Sequence, residues 1–450
     1  MSLGELQGAA ERAILAGVEW KRRRPRRNSP ASSANPHDEA EGSLEELGEL
    51  AASAGVVVVD RVFQTRDAPE AATLIGAGKI RELAALVAST RADVVLFDHD
   101  LSPTQQRNLE DQLGVKVLDR TQLILDIFAH RARTREGRLQ VELAQLTYML
   151  PRLTGHGVEM SRIGGGVGTR QGPGETKLET DRRRIAVRIK NIERILDLVR
   201  GTRTVHRRQR SAVPLATLAL VGYTNAGKST LFNRLTHASV TADARMFATL
   251  DPTVRGVLLP SRRRVLLSDT VGFIRRLPTT LVKAFRATLE EVTEAMLILH
   301  VVDVSSPNAT EHTAHVHQVL DEIGAGRIPQ LLVLNKVDRL PQGDTRSGAE
   351  IAARAHIPSV AISALTGQGI EQLLTKIDEV LPFDLLSRVQ FRFPVGDGAG
   401  LSLLHEMGRV LDVRYGEKYC DVDAEVPESL RQRLAAFVNG HSENEAGELF

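Results

Sequence analysis

The stretch Gly222-Tyr223-Thr224-Asn225-Ala226-Gly227-Lys228-Ser229-Thr230 constrains this chain more than any other. The apolar, uncharged run Leu215 to Val221 precedes it and reads as a buried strand. Leu231-Phe232-Asn233-Arg234-Leu235 follows, with apolar residues at helical spacing. Strand, G-x-x-x-x-G-K-S and helix are the context a phosphate-binding loop requires. The glycines allow a tight turn whose amides face phosphate oxygens. Lys228 would reach the β- and γ-phosphates, and the Ser229 hydroxyl would ligate Mg²⁺.

Downstream segments narrow the ligand. Phe247-Ala248-Thr249-Leu250-Asp251 belongs to a hydroxyl-bearing loop expected at the nucleotide, and two strands follow at about 254–259 and 264–268. The second ends in Asp269-Thr270-Val271-Gly272. An Asp there can hold Mg²⁺ through water, and the Gly272 amide can meet the γ-phosphate. A further strand ends in Asn335-Lys336-Val337-Asp338, whose carboxylate can accept from guanine N1 and N2. Adenine offers no such donor pair, so GTP is favoured over ATP. Ser363-Ala364-Leu365 would back the base with a main-chain amide. Five motifs in this order, each at a strand end, predict a Ras-like P-loop G domain over 215–382.

Two residues in it bear on mechanism. Phe273 stands where many GTPases place a glutamine that orients the attacking water. Phenylalanine cannot do so, and slow unaided hydrolysis is expected. Asn225 is either a turn former or, as in GTPases that use K⁺ in place of an arginine finger, a K⁺ ligand.

Charge is unevenly spread. Residues 131–210 carry 19 Lys/Arg against 8 Asp/Glu, whereas the remainder carries 39 against 48. A basic segment of this kind suits a polyanionic partner or a solvated helix face. Within it, the leucine stripe Leu139, Leu143, Leu146 and Leu150 predicts one amphipathic helix, and Ile185, Ile189, Ile192 and Leu196 another. The Gly-rich loop between them holds Arg162 and Arg170, followed by Lys177 and Arg182-Arg183-Arg184. Such a cationic loop at the tip of a helical hairpin would enter a narrow cleft in folded RNA, or serve as a linker.

Residues 1–42, with the run Lys21 to Arg27 and several prolines, are expected to form a basic, disordered arm that touches nucleic acid or aids solubility. Alternating short strands and helices over 43–133 predict a small parallel α/β domain. Gly76-Ala77-Gly78-Lys79 there resembles half a phosphate loop, and reads as a tight turn into a helix. The hairpin would span 134–200, a linker 201–214, and a small C-terminal α/β domain 383–450. The fold class is thus α/β throughout. Cys420 is the single cysteine, so no disulfide within the chain is possible. With no apolar leader and no membrane-length run, a cytoplasmic protein with at most peripheral membrane association is expected.

Several stretches outside the G motifs resemble the HflX family, GTPases of the Obg–HflX group. They are Gly76-Ala77-Gly78-Lys79, Leu101 to Leu109, Asp119 to Phe128, Arg138 to Leu146, Gly164-Gly165-Gly166 and Gly172 to Arg184. The resemblance covers about 50–382. It implies a monomeric factor that binds the large ribosomal subunit and its rRNA and splits stalled or idle 70S ribosomes under stress. It also implies hydrolysis stimulated by ribosomal particles, with Ser229 and Thr249 as Mg²⁺ ligands, and a hairpin loop pointing to the peptidyl transferase centre. The alternative is a GTP-gated assembly or dormancy factor that binds 50S without separating subunits. A tRNA-modification GTPase would need a chemistry domain, and an iron-transporter GTPase would need membrane spans; the sequence predicts neither.

Overall fold

A computed structural model describes residues 10–20, 36–154, 173–210, 215–236, 246–275, 291–341, 348, 351–353, 357–381, 386–395, 398–416 and 418–438. The chain divides into two compact units: Met1–Gly201 with Thr217–Ile377, and Thr202–Ala216 with Asp378–Phe450.

The first surprise lies at the N-terminus. Residues Arg12–Trp20 are not part of a disordered arm but form strand β1. Its apolar run from Ala13 to Val18 is a buried-strand signature that the adjacent arginines and prolines obscured. β1 pairs in parallel with β2 (Val57–Arg66) on one side and β3 (Val94–Phe97) on the other. With β4 (Lys116–Asp119) the order is β2-β1-β3-β4, so β1 is internal. Helix α1 opens at Pro36 and runs to Ser53, so it begins seven residues ahead of the expected domain boundary at residue 43.

Helices α2 (Ala77–Thr90), α3 (Pro103–Leu113) and α4 (Arg120–Arg131) complete this domain. Gly76 is the N-cap of α2 and Lys79 pairs with Glu82, so the Gly-Ala-Gly-Lys turn starts a helix as its sequence suggests. Ser102 and Gln105 form a reciprocal capping box on α3, with Pro103 at the first turn.

Helix α5 (Arg135–Met149) and helix α6 (Pro173–Arg210) form the basic helix pair. Their leucine-stripe reading needs correction. The face of α5 that is fully buried carries Gly137, Gln140, Val141, Ala144 and Tyr148, while Leu139, Leu143, Leu146 and Leu150 are half-buried. On α6, Ile192 and Leu196 are buried, and Arg188 makes a two-pronged ion pair to Glu142 at 2.7 and 2.8 Å. Helix α6 continues to Arg210, through most of the stretch expected to be a linker.

The nucleotide-type domain holds a six-stranded sheet in the order β10-β9-β8-β5-β7-β6. Its strands are β5 (Thr217–Gly222), β6 (Thr253–Leu258), β7 (Arg264–Asp269), β8 (Leu297–Asp303), β9 (Gln330–Asn335) and β10 (Ser359–Ala361). Only the β6–β7 pairing is antiparallel. Helices α7 (Lys228–Thr236), α8 (Ala309–Glu322) and α9 (Ile370–Val380) belong to this domain. This domain and the N-terminal one share a core: Met246, Phe247, Leu250, Val271 and Ile274 pack in one cluster with Leu15, Leu47, Leu96, Ile124 and Phe128.

In the second unit, β11 (Leu386–Pro394), β13 (Tyr419–Pro427) and β12 (Arg409–Tyr415) form an antiparallel sheet in that order. Helices α10 (Gly398–Met407) and α11 (Glu428–Arg433) accompany it, and Phe391, Phe393, Leu404 and Leu430 form its core.

Candidate functional site

The parallel strands β5, β7, β8 and β9 deliver their C-terminal ends to one edge of the sheet, where ligands of open α/β folds bind. A cavity of about 360 Å³ lies there. At its phosphate end are Thr224, Asn225, Gly227, Lys228, Ser229 and Thr230. Gly227 has φ +95°, and a Cβ on it would lie 2.3 Å from Asn335 Nδ2, so only glycine fits. Asn225 occupies the left-handed region at φ 59°, which asparagine tolerates better than most residues.

Lys228 Nζ donates to the carbonyls of Gly222 at 3.1 Å and Tyr223 at 2.8 Å. Burial lowers its pKa to about 8, against the opposing pull of Asp269. An ammonium curled back onto the loop in this way is poised to exchange two carbonyls for phosphate oxygens.

Three oxygens converge beside it. Ser229 Oγ lies 2.8 Å from Thr249 Oγ1, and both are 2.8 Å from Asp269 Oδ2. Asp269 is fully buried, its Oδ1 has no hydrogen-bond partner among the described residues, and burial raises its pKa. A desolvated carboxylate with a spare oxygen, beside two hydroxyls, is a hard-donor set suited to Mg²⁺ and its waters. Ala248, Phe247, Thr270 and Gly272 line the same end of the cavity.

At the far end lie Asn335, Lys336, Asp338, Ala364 and Leu365, together with Arg339, which the motifs did not single out. Asn335 is buried and both ends of its amide are engaged: Nδ2 donates to Ala226 O at 2.8 Å, and Oδ1 accepts from Ala364 N at 2.9 Å. It therefore ties the phosphate loop to the Ser-Ala-Leu loop. Lys336, at φ 68°, pairs with Asp303 at 2.7 Å.

Not every expected nucleotide residue faces the cavity. Leu250 and Val271 are buried in the shared core, Val337 packs on a neighbouring cluster, and Ser363 caps its own turn by accepting from Thr366 N at 3.1 Å. The carboxylate of Asp251 bonds instead to Arg133 and Thr134. Tyr223 contributes its carbonyl to Lys228, but its hydroxyl turns away to Glu46 and accepts from Arg275 N at 2.8 Å. Glu46 also binds the buried Arg120, which binds Asp98 at 2.7 Å. Phe273 is buried under the loop, its backbone bridged to Gly222 and Thr224.

Of the basic residues, Arg182, Arg183 and Arg184 are exposed on α6, and Lys177 falls in the same helix. Arg162 and Arg170 lie outside the described residues.

Family models match residues 41–336 with short gaps, in sequence order. A "GTP-binding GTPase N-terminal" model covers residues 41–129, a "GTP-binding GTPase Middle Region" model covers 131–210, and a "50S ribosome-binding GTPase" model covers 217–336. The GTPase HflX of Caldanaerobacter subterraneus is 46% identical over 96% of this chain and 95% of its own. The chain belongs to the HflX family of GTPases. GTPase HflX of Escherichia coli is 46% identical over 81% of this chain and 84% of its own, and that of Alkalihalophilus pseudofirmus 50% over 76% and 79%. Among solved structures, a GTP-binding protein of Sulfolobus solfataricus in complex with GDP is similar over 82% of this chain and 98% of its own, at 24% identity and a TM-score of 0.43. As an HflX GTPase the protein binds guanine nucleotides and hydrolyses GTP, with the Mg²⁺ dependence general to such enzymes. Among the described residues, no helix is long and apolar enough to cross a membrane.

Proposed function

We propose that this HflX protein is a GTP-switched factor of the large ribosomal subunit that, in its GTP state, separates stalled or idle 70S particles. The observation that carries this is the shared core. The loop bearing Thr249 is packed by Phe247 and Leu250 into the domain that continues as the basic helix pair. A change at the γ-phosphate is thereby felt by the elements best charged to meet rRNA.

In this reading Lys228 neutralises β- and γ-phosphate charge, Gly272 gives its amide to the γ-phosphate, and Asp338 selects guanine. Ser229 and Thr249 would hold Mg²⁺ directly, and Asp269 would hold it through water. A Mg²⁺ held there would supply positive charge against the charge that develops on the phosphates. The chain places a buried phenylalanine after Gly272, so hydrolysis is slow until the ribosome supplies the missing positioning. Asn225, at the rim of the cavity, is the candidate K⁺ ligand. K⁺ in place of Na⁺ should then raise the GTPase rate, and Asn225→Ala should remove the difference; equal wild-type rates in both salts would discard the K⁺ role.

Sucrose-gradient profiles of 70S particles incubated with the protein and GTP or a non-hydrolysable analogue test the main reading. Free subunits support splitting. Co-migration with 50S or intact 70S alone supports the alternative of an assembly or dormancy factor. Absence from every ribosomal fraction would defeat both.

A further inference from the structure

Asp251 was expected at the nucleotide, and the structure gives it another occupation. Its Oδ2 accepts from Arg133 N at 3.0 Å and Thr134 N at 2.9 Å, and its Oδ1 accepts from the Thr134 hydroxyl at 2.5 Å. Thr134 is the N-cap of α5, and its Oγ1 in turn accepts from Gly137 N at 2.9 Å. One carboxylate from the nucleotide loop thus closes the first turn of the helix pair.

The fit is close on both sides. A Cβ at Gly137 would lie 2.3 Å from Asp251 Oδ1, so the approach of the acid requires glycine at this point of the helix. Glycine costs helix stability in an interior position, and its presence here is explained by what it admits. The carboxylate meets the positive end of the helix dipole, where an acid is favoured, and its bonds are charge-assisted.

The tether is also short. Asp251 follows Thr249 by two residues, a reach of at most about 7 Å of extended chain. Thr249 is the residue whose hydroxyl sits on Ser229 and Asp269. Between the two, Leu250 is buried in the shared core, and just before them the Phe247 ring meets Phe128 edge-on at 4.5 Å. The segment has no slack to absorb movement of Thr249 before Asp251 is pulled.

We propose that Asp251 is the coupling residue that transmits the state of the nucleotide site to the first turn of α5. With Thr249 held by Mg²⁺ and a γ-phosphate, Asp251 caps α5 and fixes the base of the basic helix pair. With Thr249 released, the cap opens and the first turn frays. The proposal rests on Thr249 being a ligand of the GTP state. Coupling is reciprocal: whatever immobilises α5 favours the GTP-bound arrangement of the loop by the same factor, typically about 5–150-fold.

Hydrogen exchange on the full-length protein tests this without a ribosome. Peptides covering 133–138 and 222–236 are followed with Mg²⁺ and either GDP or a non-hydrolysable GTP analogue. The expected result is exchange in 133–138 about tenfold slower with the analogue than with GDP. Asp251→Asn, which cannot accept all three bonds, and Gly137→Ala, which crowds the acid out, should each erase that difference. Both variants should keep nucleotide protection of 222–236, which also reports that they are folded. Exchange in 133–138 that ignores the nucleotide in wild-type protein, or a difference that survives Asp251→Asn, overturns the coupling. Loss of protection at 222–236 in the wild type would instead overturn the nucleotide reading beneath it. Should Asp251→Asn fail to fold, Gly137→Ala and Thr134→Val decide the question alone.

Discussion

Tyr223 and Asn335 show how far single side chains of a nucleotide motif serve the protein itself. Asn335 spans two loops and is satisfied at both ends, so its removal strands the buried Ala226 carbonyl and the Ala364 amide. Asn335→Ala should cost about 1–3 kcal/mol in stability and weaken GTP binding at least about tenfold, read by urea midpoints and nucleotide titration. Undiminished stability would mean that the asparagine acts on the base alone. The Tyr223 ring stacks on His312 at 3.8 Å. Burial, reinforced by Arg275, lowers the His312 pKa to about 4, and burial takes His300 to about 3. A histidine whose folded pKa lies below its unfolded value of about 6.5 leaves the unfolded chain binding more protons as pH drops, so stability falls between 6.5 and the folded pKa. From pH 7 to 5.5 each histidine should cost about 1 kcal/mol. Asp126 acts in the opposite sense: burial lifts it to about 6, so protonation below that pH favours the fold. The histidine contribution is therefore read as the difference between wild type and His312→Phe, which keeps the stack. That variant should lose about 1 kcal/mol less over this interval; an identical pH dependence would show that His312 does not stay neutral when folded.

At the scale of elements, the residues that mark the family outside the G motifs are largely joints. Asp119 at the end of β4 caps α4 by accepting from Gln122 N at 2.8 Å, accepts from Leu101 N at 3.1 Å and from the Tyr148 hydroxyl at 2.7 Å, and meets Arg152 at 3.2 Å. Its neighbour Arg120 is 2% exposed and binds both Glu46 of α1 and Asp98. Arg120→Met would leave two buried carboxylates without their cation and should cost about 3–5 kcal/mol, visible as a lower urea midpoint. A loss below about 1 kcal/mol would mean that water or a second cation replaces it. These joints also explain what could be read in the sequence and what could not. The helices and strands from Ala77 to Arg131, and every strand of the G domain, follow from local periodicity and turn chemistry to within a few residues, whereas β2 runs to Arg66, well past the valine run that marks its start. The phosphate-loop residues follow from spacing. What escaped depended on tertiary partners: Asp251 looks like a loop acid until α5 is beside it, and the half-buried leucines of α5 look like its core face until Tyr148 and Val141 are found beneath. β13 (Tyr419–Pro427) escaped for a different reason. Its alternation of acids with Val and Ala is a half-buried-strand pattern that its charge obscured; β11 and β12 pair with its two edges, and Cys420, Val422, Ala424 and Val426 pack in one core with Leu404 and Leu430.

At the scale of the molecule, β1 decides whether the two domains of the first unit work as one. A strand has two faces, and β1 divides them between two cores. Ala13 and Leu15 belong to the cluster that contains Phe247 and Leu250 of the nucleotide loop, whereas Ile14, Ala16 and Val18 face α2 and α3 on the other side of the sheet. Leu15 and Ile14 are each fully buried, so Leu15→Ala and Ile14→Ala should destabilise comparably, by about 2–5 kcal/mol. Their effects on nucleotide binding should differ. Leu15→Ala loosens the packing that holds the Thr249 loop in place, so the protein must spend more of its GTP binding energy on ordering that loop. Ile14→Ala leaves that packing alone. At temperatures where both variants remain folded, affinity for a GTP analogue should fall several-fold in Leu15→Ala and stay near wild type in Ile14→Ala, while GDP, which makes no demand on Thr249, should bind both alike. Equal losses for the analogue in the two variants would mean that the shared core stabilises the domains without conditioning the switch.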